Sequence, residues 1–319
     1  MPYPQAVIDV AAQVRNWGRW GDEDQIGTLN FITDDAVRAA AALVRTGKRF
    51  SLAYPLQING LQTGAIPGRV NPLRTMVAIN VCFTGDRDTF CTSDDVVVMG
   101  LQAATHWDGL GHASYGGQVY GGRDDSVINE QGAGQCGIER VRHLTGRGVL
   151  LDVARQKGLD VLPPAYAITG DDLSATASDQ GVEVRSGDIV LVRTGMMARA
   201  KAGDLAGYLG ELDPELLLPR APGIGLSCAP WFHRREVAAV ATDNITFEVM
   251  PWDPEAPGAI LPMHCLHLVE MGMTQGQNWD LEDLAADCAG DGVYDFFLEA
   301  SPQPFVGGVG SPVNPVAIK

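Results

Sequence analysis

The chain has 319 residues, with 23 Lys and Arg against 39 Asp and Glu, a formal charge of −16 at pH 7. So acidic a chain repels phosphate backbones and anionic headgroups, which argues against nucleic acid or a membrane surface as partner. An apolar fraction of 45% with 19% charged residues is that of a folded globular protein, and no apolar run approaches the ~20 residues that span a bilayer. Met1–Gly18 carries Asp9 and scattered polar residues where a signal peptide has an unbroken apolar core, so a cytoplasmic protein is expected. The six cysteines lie far apart without a CxxC pair. This argues against a zinc ribbon and for buried reduced thiols.

The chain opens with an N-terminal arm over about 1–30. Thr33–Thr46 begins with a Thr-Asp-Asp cap and continues as an Ala-rich helical stripe. Leu56–Pro72, rich in Gly, Pro, Asn and Gln, reads as a long loop. Met76–Phe83 and Asp95–Met99 have strand character, as do Gly148–Val153, Asp188–Arg193 and Val237–Thr242. Two of these runs are almost wholly apolar, as expected of strands covered on both faces. Thr169–Gln180 and Asp280–Cys288 are capped helices, and Pro262–Met273 leads from a turn into a core-facing helix. The proline-rich tail, about 300–319, is expected to lie across the surface as extended chain. No repeat or linker interrupts the pattern, so residues 1–319 are read as one α/β domain.

Gly132-Ala-Gly-Gln-Cys-Gly137 matches GxGxxG, but polar Arg123–Gln131 stands where a dinucleotide fold needs a hydrophobic strand. The nucleophile elbow, the P-loop and HExxH are absent from the sequence. The informative stretch is Gln102-Ala-Ala-Thr-His106-Trp-Asp108-Gly-Leu-Gly-His112. On extended backbone His106 and Asp108 share one side, giving the imidazole and carboxylate that form half of a first-row metal site. Two glycines then let His112 return beside them without having to bind. His264 and His267 cluster again in an apolar segment, where histidine marks a ligand or a hydrogen-bonded base. His267 either orients His264 or simply packs.

Thr105-His106-Trp-Asp108-xxx-His112 resembles the HxGTHxDxxxH signature of the cyclase-family metal-dependent hydrolases, which include bacterial kynurenine formamidase, isatin hydrolase and a trans-dienelactone hydrolase. Trp17-Gly-Arg-Trp20 through Asn30 is similar to the opening of the longer members. Pro262-Met-His264 with Gln277-Asn-Trp-Asp-Leu281 is similar to their second ligand block, and Gly307–Pro315 to their close. The resemblance implies a swivelling β/β/α fold with a mixed sheet, assembled as a homodimer or homotetramer. It also implies a divalent metal, Mn2+ or Zn2+, that activates water against a small cyclic amide, formamide or lactone.

Carried over, His106, Asp108 and His264 are metal ligands and His112 is the catalytic histidine. The last ligand, Glu in many members, falls on Gln277, with Gln275 as the alternative. The signature's first His is Gln102 here. These departures leave Asp108 as the one assigned carboxylate, so a single metal is expected rather than two. Trp107, Trp17, Trp20 and Gln102 are the expected substrate contacts. A catalytically silent small-molecule binding protein and a metal-dependent lyase or cyclase are the competing functions.

Overall fold

Apolar side chains on both faces of a strand require cover on both sides, and the structure, a computed structural model describing residues 3–319, supplies it. Nine strands form the main sheet. In chain order they are β1 (Arg49–Ser51), β2 (His106–Asp108), β3 (Thr145–Asp152), β4 (Ile189–Arg193), β5 (Ala239–Thr242), β6 (Gln275–Gln277), β7 (Asp295–Glu299), β8 (Gly310–Pro312) and β9 (Val316–Ile318). Their order across the sheet is β1-β9-β7-β3-β4-β5-β6-β2-β8. The four strands β3 to β6 run parallel, and antiparallel strands extend the sheet at both ends.

Alternation along the central strands divides the interior into two cores. Val149, Leu151, Val190, Val192 and Val240 meet the helices Gln5–Val14, Gly170–Asp179 and Cys228–Arg234 on one face. Leu150, Ile189, Leu191 and Ala241 meet Leu284, Ala285 and Cys288 of the helix Glu282–Asp291 on the other. Two of the predicted caps form: the Thr33 hydroxyl accepts from Ala36, and Thr169 and Asp172 bond reciprocally; the helix expected from Asp280 instead begins at Glu282 after Leu281, which offers no side-chain cap. The helix after Thr33 stops at Ala41, short of Thr46, whose N–H instead meets the Lys319 carbonyl. The mixed α/β architecture matches the fold expected from the sequence.

Val7, Ala11 and Val14 of the helix in the N-terminal arm enter the first core. Two expectations are corrected. The tail does not lie over the surface. It supplies β8, which closes the sheet edge against β2, and β9, which runs inside the sheet between β1 and β7. Three-residue strands are too short for their alternation to show in the sequence. Finally, the cysteines are not all reduced: Cys82 and Cys91 form a disulfide at the last register pair of the hairpin Leu73–Cys82/Cys91–Val98, while the other four are free and buried.

That hairpin stands apart from the main sheet as a two-stranded ribbon. Val77, Ile79, Val97 and Val98 are exposed on its two strands, and Phe83 and Phe90 stack at its tip. Among the described residues no helix is long and apolar enough to cross a membrane.

His267 is fully buried between the rings of Phe232 and Phe247, 5.6 and 5.2 Å away, and neither of its nitrogens makes a hydrogen bond. Burial lowers its pKa to about 3; His264 adds to the effect and the Gln275 side chain opposes it. The unfolded chain, with an ordinary imidazole near 6.5, therefore takes up a proton that the fold refuses. Stability from this group is complete above about pH 6.5 and falls by up to about 1.4 kcal/mol per pH unit as pH drops towards 3. Urea unfolding between pH 4 and 7 should show this slope, and His267→Leu should flatten it.

Candidate functional site

Strand β2 places His106 and Asp108 on one side and Trp107 on the other, as period-two alternation demands. Trp107 packs into the second core against Trp279, ring centroids 4.8 Å apart, and its indole donates to the Ala300 carbonyl. Gly276 lies opposite Trp107 in the register, and a Cβ there would fall 2.9 Å from the Trp107 ring and 2.6 Å from the Trp279 indole nitrogen. The same register sets Gln277 opposite His106 and Gln275 opposite Asp108, so both glutamines share the face of the two acceptors. Thr105 fixes the strand's entry, its hydroxyl donating to the Asn278 carbonyl and accepting from Tyr54 N–H.

His264 reaches the same face from the turn Pro262–His264, which continues into the π-helical stretch Cys265–Met271. Glu248, buried, holds it there. One carboxylate accepts the His264 Nδ1–H at 2.5 Å and the backbone N–H groups of Met263 and His264 at 2.8 and 3.0 Å. This leaves the His264 Nε2 lone pair facing Asp108 Oδ2, 3.9 Å away. His106 is fixed in the same way: its Nδ1–H donates to the Ala104 carbonyl at 2.7 Å. Its Nε2 lone pair then meets Asp108 Oδ1 at 3.4 Å.

Those two atoms carry the physical argument. His106 Nε2 and Asp108 Oδ1 are sealed from solvent, and neither has a hydrogen-bond partner. Two buried acceptors this close need something positive between them. Burial works against the charge on Asp108, but His112, His106 and His264 hold its carboxyl well below the ordinary range. Asp108, His112 and His264 bring ligating atoms within 4.8 Å of one another, the spacing that one ion requires. His112 Nε2 is 3.6 Å from Asp108 Oδ1, and its side chain keeps 20% of its surface exposed. Its pKa is lowered by burial, against the pull of Asp108. Gln277 donates through Nε2 to Asp108 Oδ2 at 2.8 Å and lies 3.1 Å from His264 Nε2; a half-turn of this amide presents its oxygen instead. Gln275 donates to the same oxygen at 3.3 Å. The donor set of imidazoles, carboxylate and amide fits a divalent cation.

A cavity of about 830 Å3 adjoins this cluster, with His264 and Gln277 in its lining. Further walls come from the loop before the hairpin, through Ile66 and Arg69, from the segment 204–219, and from Ile245, Met250 and Leu261. None of the four expected substrate contacts lines it. Trp107 faces the opposite core. Trp17 lies under the Arg15 guanidinium and donates to the Val269 carbonyl, and Trp20 stacks edge-on against Phe31. The Gln102 amide lies over Gly310 of β8. Sequence reasoning also missed two residues. Glu248 gave only the weak signal of a lone acid in an apolar run, whereas Arg69 is the one charged residue of Leu56–Pro72.

A mixed sheet that brings distant histidines around a buried aspartate defines an α/β protein with a candidate metal centre. The family described as "Putative cyclase" matches residues 8–249, and the chain belongs to it. The crystal structure of a novel cyclase is similar over 96% of this chain and 100% of its own, at 38% identity and a TM-score of 0.83. An isatin hydrolase bound to the product analogue thioisatinate matches at 17% identity, with coverage of 90% and 98% and a TM-score of 0.61. Isatin hydrolase A from Ralstonia solanacearum matches at 19% identity, with coverage of 89% and 95% and a TM-score of 0.61. At such identities the likeness is one of fold. No curated protein matches the sequence.

Glu248→Ala strips the acceptor from three donors in the interior, each costing about 1–3 kcal/mol when left unpaired. Denaturant unfolding should show a loss of at least about 3 kcal/mol, with Glu248→Gln losing less.

Proposed function

We propose that the protein is a metal-dependent hydrolase that cleaves the C–N or C–O bond of a small cyclic amide, formamide or lactone. The observation that carries this reading is the pair of sealed acceptors, His106 Nε2 and Asp108 Oδ1, facing each other beside a large cavity. His106, Asp108, His264 and Gln277 hold one Mn2+ or Zn2+. When bound, such a cation supplies a Lewis acid that polarises a carbonyl and makes water acidic enough to ionise near neutral pH. His106 and His264 suit ligation because a carbonyl and a carboxylate fix their free lone pairs inward. One carboxylate among three neutral donors supports one cation rather than two.

His112 has no such orienting hydrogen bond among the described residues. Burial keeps its imidazole neutral near pH 7. It takes the proton of the attacking water at Nε2 and returns it to the leaving nitrogen or oxygen, a role worth roughly 10²–10⁴-fold. The isatin hydrolases of like fold support a cyclic amide as the first substrate to try.

Isatin, formylkynurenine and a dienelactone are the assay substrates. Turnover of at least one should vanish with chelator and return with Mn2+ or Zn2+. Asp108→Ala should lose both metal, by emission spectroscopy, and turnover. His112→Ala should keep the metal and lose about 10²–10⁴ in kcat. A folded His112→Ala without metal would make His112 a ligand; failure of the wild type to take up stoichiometric metal would leave a binding protein.

We further propose that the chain self-associates as a homodimer or homotetramer, a reading supported by the hairpin's exposed apolar residues. Sedimentation should show an oligomer, and the double variant Ile79→Asp, Val97→Asp should shift it towards the monomer.

A further inference from the structure

The cavity beside the donor cluster has the volume of a site for a sizeable organic molecule rather than a formyl group. Its walls are largely apolar, yet one charged group inside it lacks a partner. Arg69 sits after Gly68, which has φ +81°, in a turn closed by its N–H on the Ile66 carbonyl. The turn directs its side chain to the cavity, where Nη1 is shielded from solvent and makes no hydrogen bond. Two other charged groups of the lining, Arg199 and Asp204, lie 3.5 Å apart and offset each other. Glu211 is exposed to water. Asp108 acts on Arg69 only from a distance, and its Oδ2 already accepts from Gln275 and Gln277.

Arg69 is half-buried, and a guanidinium nitrogen shielded from water without an acceptor, as its Nη1 is, destabilises the protein that carries it. Burial depresses the Arg69 pKa, against the pull of Asp108. Its planar fork matches a carboxylate in two parallel hydrogen bonds, a pairing that a lysine does not reproduce. We infer that Arg69 anchors a carboxylate carried by the substrate. The ligand class is then an apolar acyl compound with a carboxylate at one end and, resting on the hydrolase reading above, the scissile amide or ester at the other. The apolar walls take its body, and His264 and Gln277 lie along the same cavity.

The test uses the full chain, chelator-treated and Mn2+-loaded, with 4-phenylbutyrate and its neutral amide, 4-phenylbutyramide, titrated by calorimetry. The acid should bind at least tenfold more tightly than the amide in both forms. Arg69→Ala should abolish that preference and Arg69→Lys should retain part of it. Arg69→Met should raise the thermal midpoint of the ligand-free protein, since an uncompensated charge is removed; a merely structural arginine would lower it. Absence of any preference in the chelator-treated wild type overturns the inference. So does a preference that needs Mn2+ and survives Arg69→Ala, because the carboxylate then sits at the donor cluster, as a hydrolysis product would. Should no amide or lactone turn over while the Arg69-dependent preference persists, the hydrolase reading falls and the carboxylate site stands.

Discussion

The structure depends on one electrostatic constraint, the concentration of electron pairs around Asp108 without enough protons to satisfy them. His106 and His264 each spend their single N–H on a fixed acceptor, the Ala104 carbonyl and the Glu248 carboxylate. Both imidazoles thereby turn Nε2 towards the Asp108 carboxylate. Such an arrangement is unstable in a dry interior unless a cation completes it. The supporting hydrogen bonds matter as much as the ligating atoms, because they decide which face of each ring is basic.

The sheet makes this arrangement geometrically cheap. β2 and β6 are adjacent and antiparallel, so an alternating pair on one strand meets an alternating pair on the other without any loop having to find them. The opposite face is filled by Trp107 and Trp279, closely packed over Gly276. The ring stack presses on the backbone from behind and holds the polar side chains in place. A side chain at position 276 would push the strands apart and misalign the four residues together.

Much of this was legible in the sequence. The HxD spacing put His106 and Asp108 on one side, and the apolar runs of β3 and β4 announced a sheet covered on both faces. The distant His264 was legible only through resemblance, since no local pattern ties residue 264 to residue 108. Trp107 was misread for an instructive reason: standing between two polar residues in a strand places a side chain on the far face, not beside them. Arg69 and Glu248 act through tertiary placement, one by lacking a partner and the other by having three, and single-sequence periodicity carries neither fact. The Cys82–Cys91 pairing likewise depends on a hairpin register that a turn sets.

The position of β8 has a consequence for how the molecule comes into being. The strand bearing His106 and Asp108 is flanked by residues 275–277 on one side and 310–312 on the other. During synthesis the histidine–aspartate pair emerges some two hundred residues before the last of its neighbours. Until then its edge is open and its acceptors have no fixed cage. The donor cluster is therefore complete only once residues 275–277 and 310–312 have paired on either side of the strand that carries His106 and Asp108.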